Sequence, residues 1–85
     1  MALDDDFKDA QQRVQTLSTR PSNDTLLELY ALFKQGTEGD VQGKRPGLLD
    51  VKGRAKYDAW AKRKGLGQDA AKEQYVALVN RLLAG

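Results

Sequence analysis

The sequence predicts an all-α fold, a single domain of four helices. Apolar residues recur at intervals of three and four near both ends of the chain, which is the spacing of a helix that buries one face. No segment shows the alternation of apolar and polar residues expected of a half-buried strand. A length of 85 residues suffices for one hydrophobic core and leaves no room for a second. We therefore predict one domain over residues 1–85.

The first helix is predicted over about residues 5–17. Three consecutive acids, Asp4, Asp5 and Asp6, occupy its beginning, where the helix macrodipole favours negative charge. Its apolar face has spacings of four, three, four and three, formed by Leu3, Phe7, Ala10, Val14 and Leu17.

The second helix is predicted over about residues 22–37. Pro21 ends the preceding segment, and Ser22, Asn23 or Asp24 can cap the new one. Between residues 25 and 33 only Thr25 and Glu28 are clearly polar, so this helix is apolar on more than one face. Two apolar faces need two partners, and one of them can be a ligand.

Residues 37–50 form a long predicted loop, because they contain three glycines and Pro46 and show no sustained period. Asp50 caps a third helix at about residues 51–64, glycines 65 and 67 break it, and a fourth helix follows at about 68–83. The fourth helix should bury Ala71, Tyr75, Leu78, Val79 and Leu82.

The connections limit the topology. Short links should make helices one and two antiparallel neighbours, and likewise helices three and four. A loop of about fourteen residues reaches roughly 45 Å, which exceeds the ~24 Å length of the second helix. The third helix can therefore run parallel to the second, and an up-down-down-up order is possible.

Composition excludes several classes of function. The chain has neither His nor Cys, so the common general base, thiolate nucleophiles and sulfur ligands for a metal are missing. The acids are best interpreted as solvated helix charges, with Arg54 and Lys62 one turn from Asp58. We expect no enzyme activity, metal or cofactor. No apolar run approaches a membrane span and the amino-terminal acids do not suit a secretory signal, so we expect a cytoplasmic protein.

Basic and aromatic residues are concentrated in one stretch. Residues 34–64 hold nine Lys or Arg against four Asp or Glu. Tyr30, Phe33 and Lys34 share a helical face, and Lys52 and Lys56 share another on the third helix. Aromatic rings can stack a planar base, and ammonium groups can bind phosphate. The residues alone favour a nucleotide-type ligand and a nucleic-acid or protein surface about equally.

Three segments at fixed separations, residues 30–40 (YALFKQGTEGD), 45–50 (RPGLLD) and 55–60 (AKYDAW), resemble the signature of the acyl-CoA-binding protein family. The similarity extends from about Phe7 to Leu82. It implies a four-helix bundle of up-down-down-up topology that holds one long-chain acyl-CoA in an open groove without catalysis.

The resemblance also implies roles for individual residues. Tyr30, Lys34 and Lys56 would hold the adenosine 3′-phosphate, while Phe33 would stack on the adenine and Tyr75 would close the nucleotide site. The remaining implied contacts are Phe7 and Ala10, which would line the site from helix one, and Leu26, Leu27 and Tyr30, which would lie along the acyl chain.

Three positions depart from the family pattern. Gln15 stands where many members have a lysine that reaches the phosphates, and Arg13 cannot replace it because it lies on another side of the helix. Phe33 replaces a common tyrosine and Tyr57 a common tryptophan, so the aromatic surfaces are kept. We expect one phosphate contact fewer.

The sequence thus predicts a monomeric, non-catalytic carrier that buffers and transports medium- to long-chain acyl-CoA. Nucleic acid and integral membrane association are not expected. The alternative is a small basic helical domain that binds nucleic acid or acts as an adaptor, since the basic stretch would also suit a phosphate backbone.

Overall fold

The computed structural model describes residues 2–85, so Met1, which the predicted domain includes, lies outside it. The helices are α1 (Leu3–Arg13), α2 (Asn23–Glu38), α3 (Val51–Ala61) and α4 (Gln68–Ala84), and a short 3₁₀ helix (Val14–Thr16) follows α1. No strand occurs within residues 2–85, which confirms the all-α prediction. In the same range, every helix is too short or too polar to cross a membrane.

The helix directions follow from pairs of contacting residues. Near the start of α1 and α4, Lys72 Nζ donates to Asp4 Oδ1 at 2.6 Å, and further along both helices Arg13 Nη1 donates to Asn80 Oδ1 at 2.9 Å. The contacting residue numbers increase together, so these two helices are parallel. The contacts between α2 and α4 run in opposite directions, with the Gln68 amide donating to the Thr37 carbonyl at one end of α2.

Helix α3 runs parallel to α2. Lys56 of α3 lies beside Tyr30 of α2, and Trp60, one turn further along α3, lies beside Lys34, one turn further along α2. With α1 parallel to α4 and α2 antiparallel to it, the order is up-down-down-up, as predicted.

The predicted neighbour relations are wrong. α1 packs along α4 and not along α2, and α3 packs along α2 and not along α4. The reason is that the links are longer than predicted, because α1 ends at Arg13 instead of residue 17 and α3 at Ala61 instead of residue 64. The α3 end tightens into i→i+3 turns, with the Arg63 and Lys64 N–H groups donating to Trp60 and Ala61.

The remaining helix bounds lie close to the predicted ones. Helix α1 begins two residues before the predicted Asp5, because the N–H groups of Asp5 and Asp6 both donate to the Ala2 carbonyl. Ser22 caps α2 by accepting from the Thr25 N–H at 3.2 Å, and Asp50 caps α3 by accepting from the Gly53 N–H at 3.0 Å.

The core lies between α1, α2 and α4. Its buried members are Phe7, Ala10, Leu29, Leu32, Ala71, Tyr75, Leu78 and Val79. Four of the five residues predicted to be buried on α4 are in this set, and the fifth, Leu82, is half-buried against it. On α1 only Phe7 and Ala10 are buried, because the chain leaves the α-helical path before Val14 and Leu17.

A buried amide joins α2 to the two loops beside it. Gln35 is fully buried, and its Nε2 donates to Asp40 Oδ1 at 2.8 Å and to the Leu66 carbonyl at 2.7 Å. Asp40 Oδ1 also accepts from the Gly65 N–H at 2.8 Å. This set, Gln35 and Asp40 with the backbone of Gly65 and Leu66, is called the Gln35 network below. It fixes the α3–α4 turn against the end of α2.

The long loop is attached to α3. Trp60 Nε1 donates to the Gly39 carbonyl at 2.8 Å, and the Tyr57 hydroxyl donates to the Gly43 carbonyl at 3.0 Å. Arg45 donates two hydrogen bonds, at 2.8 and 2.7 Å, to the Asp58 carboxylate. The sequence placed Arg54 and Lys62 beside Asp58, but the bidentate partner comes from the loop.

Substitution of Gln35 tests the network. We expect Gln35→Ala to lower the free energy of unfolding by about 2 to 3 kcal/mol, because the Leu66 carbonyl loses its donor and a buried space is left. Urea denaturation followed by circular dichroism measures the change. The control is Gln74→Ala at an exposed position of α4, and equal losses for both variants would contradict the role of Gln35.

The charge of Asp40 predicts a pH dependence. The hydrogen bond from the Gly65 N–H, followed by the one from Gln35, lowers the pKa of the Asp40 carboxyl below its ordinary value of 3.8. A lowered native pKa stabilises the fold above that value, and this contribution is lost as the pH falls through the native pKa. We therefore expect the unfolding free energy to fall more steeply below about pH 4 in the wild type than in Asp40→Asn.

Urea denaturation at a series of pH values measures this difference. Glu73→Gln, at an exposed position of α4, is the control and should leave the acid limb of the profile as in the wild type. Parallel profiles for wild type and Asp40→Asn would show that the Asp40 charge adds nothing.

Candidate functional site

Two surface cavities meet on α2, where Leu26 and Tyr30 line both of them. The first cavity, of about 280 Å³, lies between the 3₁₀ turn, α2 and α4. Its wall is mostly apolar and is formed by Val14, Leu17, Pro21, Leu26, Leu29, Tyr30, Phe33 and Tyr75. The second apolar face of α2 predicted from the sequence is therefore open to a ligand here.

The second cavity is a groove of about 470 Å³ between α2 and α3. Its half-buried lining residues are apolar or aromatic, and its three basic side chains are exposed and therefore stand at the rim. The lining residues are Arg20, Asn23, Leu26, Leu27, Tyr30, Val51, Lys52, Ala55 and Lys56. An apolar groove with a basic rim suits a ligand that has an alkyl part and an anionic part.

Three aromatic rings from three helices pack together at one end of the first cavity, and two of them, Phe33 and Tyr75, line it. Phe33 and Phe7 are stacked, with centroids 6.1 Å apart and planes at 29°, and Tyr75 meets Phe7 edge to face at 5.1 Å. Phe33 is half-buried and lines the cavity, so part of its surface remains available for stacking. Burial raises the pKa of the Tyr75 phenol above its ordinary value of 10.0, which keeps it protonated near neutrality.

Phe7 and Ala10 lie behind this aromatic wall. Both are buried in the core, and Ala10 has no exposed surface. Neither residue lines the two cavities on α2. Phe7 supports Phe33 and Tyr75 from α1, Ala10 belongs to the same core cluster, and neither faces the open space.

Tyr30 has a lysine on each side. Lys56 Nζ lies 5.5 Å from the centroid of the Tyr30 ring, within the range of a cation–π interaction. Lys34 follows Tyr30 by one helical turn on α2. The structure thus brings lysines from α2 and α3 to one tyrosine, as the long loop allowed.

The Lys34 ammonium already has partners within the chain. It forms an ion pair with Glu38 and lies 4.9 Å from the Trp60 ring centroid. The hydrogen bond to Glu38 is the largest cause that raises the pKa of Lys34 above 10.5. Lys34 lines neither cavity, so it would have to exchange Glu38 for an anionic ligand at the edge of the site.

Sequence reasoning missed part of the lining. Arg20, Asn23, Val51 and Ala55 belong to the groove, and Val14, Leu17, Pro21 and Leu29 belong to the first cavity. Val51 and Ala55 are one turn apart on α3 and flank Lys52 and Lys56, so the helical period could have indicated them. Residues 14, 17 and 21 could not be found in this way, since they lie where α1 gives way to an irregular path.

Two polar residues, Arg13 and Gln15, lie at the end of α1 and in the turn that follows it. Gln15 is exposed, and its amide donates to the Gln11 carbonyl at 3.4 Å. Arg13 instead pairs with Asp9 at 2.8 Å and with Asn80 of α4. Its guanidinium is therefore held between Asp9 of α1 and Asn80 of α4.

The chain is similar to known proteins over nearly its whole length. Residues 4–79 match the family described as Acyl CoA binding protein. Acyl-CoA-binding protein homolog 1 of Caenorhabditis elegans is 58% identical over 78 residues, which are 92% of this chain and 91% of that protein. Acyl-CoA-binding protein of Saccharomyces cerevisiae is 46% identical over 78 residues, 92% of this chain and 90% of that protein.

Solved structures agree with the sequence matches. The crystal structure of Oryza sativa acyl-CoA-binding protein 2 has a TM-score of 0.92 at 36% identity, over 96% of this chain and 89% of that one. The solution structure of the yeast acyl coenzyme A binding protein has a TM-score of 0.72 at 46% identity, over 92% of this chain and 91% of that one.

Proposed function

The chain belongs to the acyl-CoA-binding protein family, and we propose that it binds medium- to long-chain acyl-CoA esters without catalysis. One ligand is held per monomer, and the protein buffers and transports it in the cytoplasm. The observation that carries this proposal is the meeting of the aromatic cavity and the basic-rimmed apolar groove at Leu26 and Tyr30. Adjacent cavities of different character suit one ligand with a nucleotide end and an alkyl end.

The nucleotide end is assigned to the aromatic cavity. The 3′-phosphate carries about −1.5 to −2 charges near neutral pH, and Tyr30, Lys34 and Lys56 are the groups proposed to hold it. Phe33 would stack on the adenine, with Tyr75 closing the site and Phe7 and Ala10 supporting both rings from α1. Lys52, on the rim of the groove, is available to the remaining phosphates.

The acyl chain is assigned to the groove between α2 and α3. Leu26, Leu27 and Tyr30 would lie along it, opposite Val51 and Ala55 of α3. Each methylene taken out of water stabilises the complex by about 0.8 kcal/mol. The thioester joins the two ends, so binding of one end raises the effective concentration of the other.

Binding without turnover is supported by the chemistry of the lining. The sequence has no His or Cys, and the phenol of Tyr75 has a raised pKa. A monomer is supported because all the proposed contacts come from one chain. The family match and the two cavities give no support to the nucleic-acid-binding or adaptor alternative.

Calorimetry tests the proposal directly. We expect palmitoyl-CoA to bind with a stoichiometry of one, and free coenzyme A and free palmitate to bind at least about a hundredfold more weakly, because each lacks the partner end. The complex should also persist as salt is raised, since a buried alkyl chain is not screened. Absence of saturable heat with palmitoyl-CoA would reject the proposal. A steep loss of binding affinity with rising salt would favour the nucleic-acid-binding alternative.

Removal of Lys34 tests the assignment of the 3′-phosphate. We expect Lys34→Ala to weaken palmitoyl-CoA binding by about 1.5 to 3 kcal/mol, the usual loss for a charged hydrogen bond. The loss should be much smaller for the 3′-dephospho analogue, which lacks that partner. Lys64→Ala, at an exposed position beyond α3, is the matched control. Equal losses for both ligands would show that Lys34 does not contact the 3′-phosphate.

A further inference from the structure

The long loop ends in a turn that exposes two leucines. The Asp50 N–H donates to the Gly47 carbonyl at 3.0 Å, so residues 47–50 form a tight turn with Leu48 and Leu49 at its two central positions. Turn centres normally hold Gly, Pro, Asn or Asp. Here the side chains of Leu48 and Leu49 are 80% and 101% exposed, and Val51, the first residue of α3, is 72% exposed.

These side chains are unlike the single exposed leucines that occur on most proteins. Three of four consecutive residues are large, apolar and solvated. The only polar member of the group, Asp50, has its carboxylate occupied by the Gly53 N–H at the start of α3. The apolar surface therefore projects as a unit from a turn whose geometry is fixed by hydrogen bonds.

The surrounding charge is strongly positive. Between residues 44 and 56 the chain has five basic residues, Lys44, Arg45, Lys52, Arg54 and Lys56, and a single acid, Asp50. Arg45 is paired with Asp58, and the other four remain to face a ligand or a surface. Lys52 and Lys56 line the groove between α2 and α3 together with Arg20, and Lys44 is exposed. Apolar side chains surrounded by Lys and Arg are the pattern that binds the interface of an anionic bilayer.

The exposed turn is continuous with the groove. Val51 belongs to both, since it is exposed and also lines the groove beside Lys52. Leu49 precedes Val51 by two residues, so the turn lies within about 7 Å of chain from the groove mouth. A surface touching the turn would therefore also face the mouth of the groove.

We propose that Leu48, Leu49 and Val51 insert into the interface of an anionic lipid bilayer, with the basic residues around them facing the headgroups. The groove then opens toward the bilayer, where an amphiphilic acyl ester can pass from membrane to protein. The passage of an acyl ester from membrane to protein rests on the proposed function. The insertion of the turn into the bilayer does not, because it needs only the ligand-free protein. The partner is the lipid surface, not a protein.

Vesicle binding by ligand-free protein tests the contact. Co-sedimentation with vesicles containing roughly one third phosphatidylserine should exceed that with pure phosphatidylcholine, because the basic residues add attraction. The variant Leu48→Ser/Leu49→Ser should lose at least about tenfold in vesicle affinity, since two leucines no longer leave water. Leu83→Ser, which removes an exposed leucine of α4, should retain wild-type vesicle affinity.

A fluorescent label locates the inserted segment. The chain has no cysteine, so Leu49→Cys and Lys64→Cys each provide a single site for an environment-sensitive dye. Lys64 lies beyond the opposite end of α3. Anionic vesicles should shift the emission of the dye to the blue at position 49 and leave it unchanged at position 64.

Several results would overturn the proposal. These are no vesicle binding by the wild type, equal losses of vesicle affinity for the double variant and Leu83→Ser, or equal dye shifts at positions 49 and 64.

Calorimetry of the double variant with dodecanoyl-CoA, without vesicles, should give wild-type affinity. If affinity for this ligand falls while vesicle binding persists, the turn covers the acyl chain instead. A protein that binds acyl-CoA but not vesicles would reject this inference and leave the proposed function standing.

Discussion

The buried amide of Gln35 is the constraint on which the arrangement of the site depends. Its two donors bind groups from separate segments, the carboxylate of Asp40 after α2 and the carbonyl of Leu66 before α4. Breaking the second bond leaves the carbonyl of half-buried Leu66 without a donor, which is costly away from water. The network therefore fixes the end of α2 against the α3–α4 turn and keeps α4 antiparallel to α2. The aromatic cavity depends on that register, because Phe33 comes from α2 and Tyr75 from α4.

Helix α2 packs in the core on one side and lines the two cavities on another. Leu29 and Leu32 are buried in the core with α1 and α4, and Leu29 also reaches the first cavity. Leu27 and Tyr30 line open space, and Leu26 lines both cavities while packing against the edge of the core. A helix that is apolar on two sides gains from having both covered, and only one side is fully covered by protein. The uncovered side provides the shared wall of two cavities. The same side places Tyr30 between Lys34 and Lys56, so charge recognition and alkyl packing meet at one residue.

The loop between α2 and α3 has more than one role. It returns the chain so that α3 starts beside the start of α2, and this makes the two helices parallel. Arg45, Gly43 and Gly39 attach it to Asp58, Tyr57 and Trp60 of α3. Tyr57 makes its part of this attachment through its hydroxyl. With its path fixed in this way, the loop presents Leu48 and Leu49 as a defined exposed turn.

Local sequence patterns were sufficient to predict the four helices, the buried face of α4, the two apolar faces of α2 and the set of lysines and aromatic residues. These properties follow from spacings of three and four residues and from capping, which are local. The tertiary structure alone decided that α1 packs on α4, that Arg45 and not a neighbour one turn away binds Asp58, and that Gln35 is buried. It also placed Phe7 and Ala10 behind the aromatic wall. Such pairings join residues far apart in the chain. They depend on where each helix ends and on which apolar faces compete for burial. The spacing of apolar residues within one helix contains no information on either.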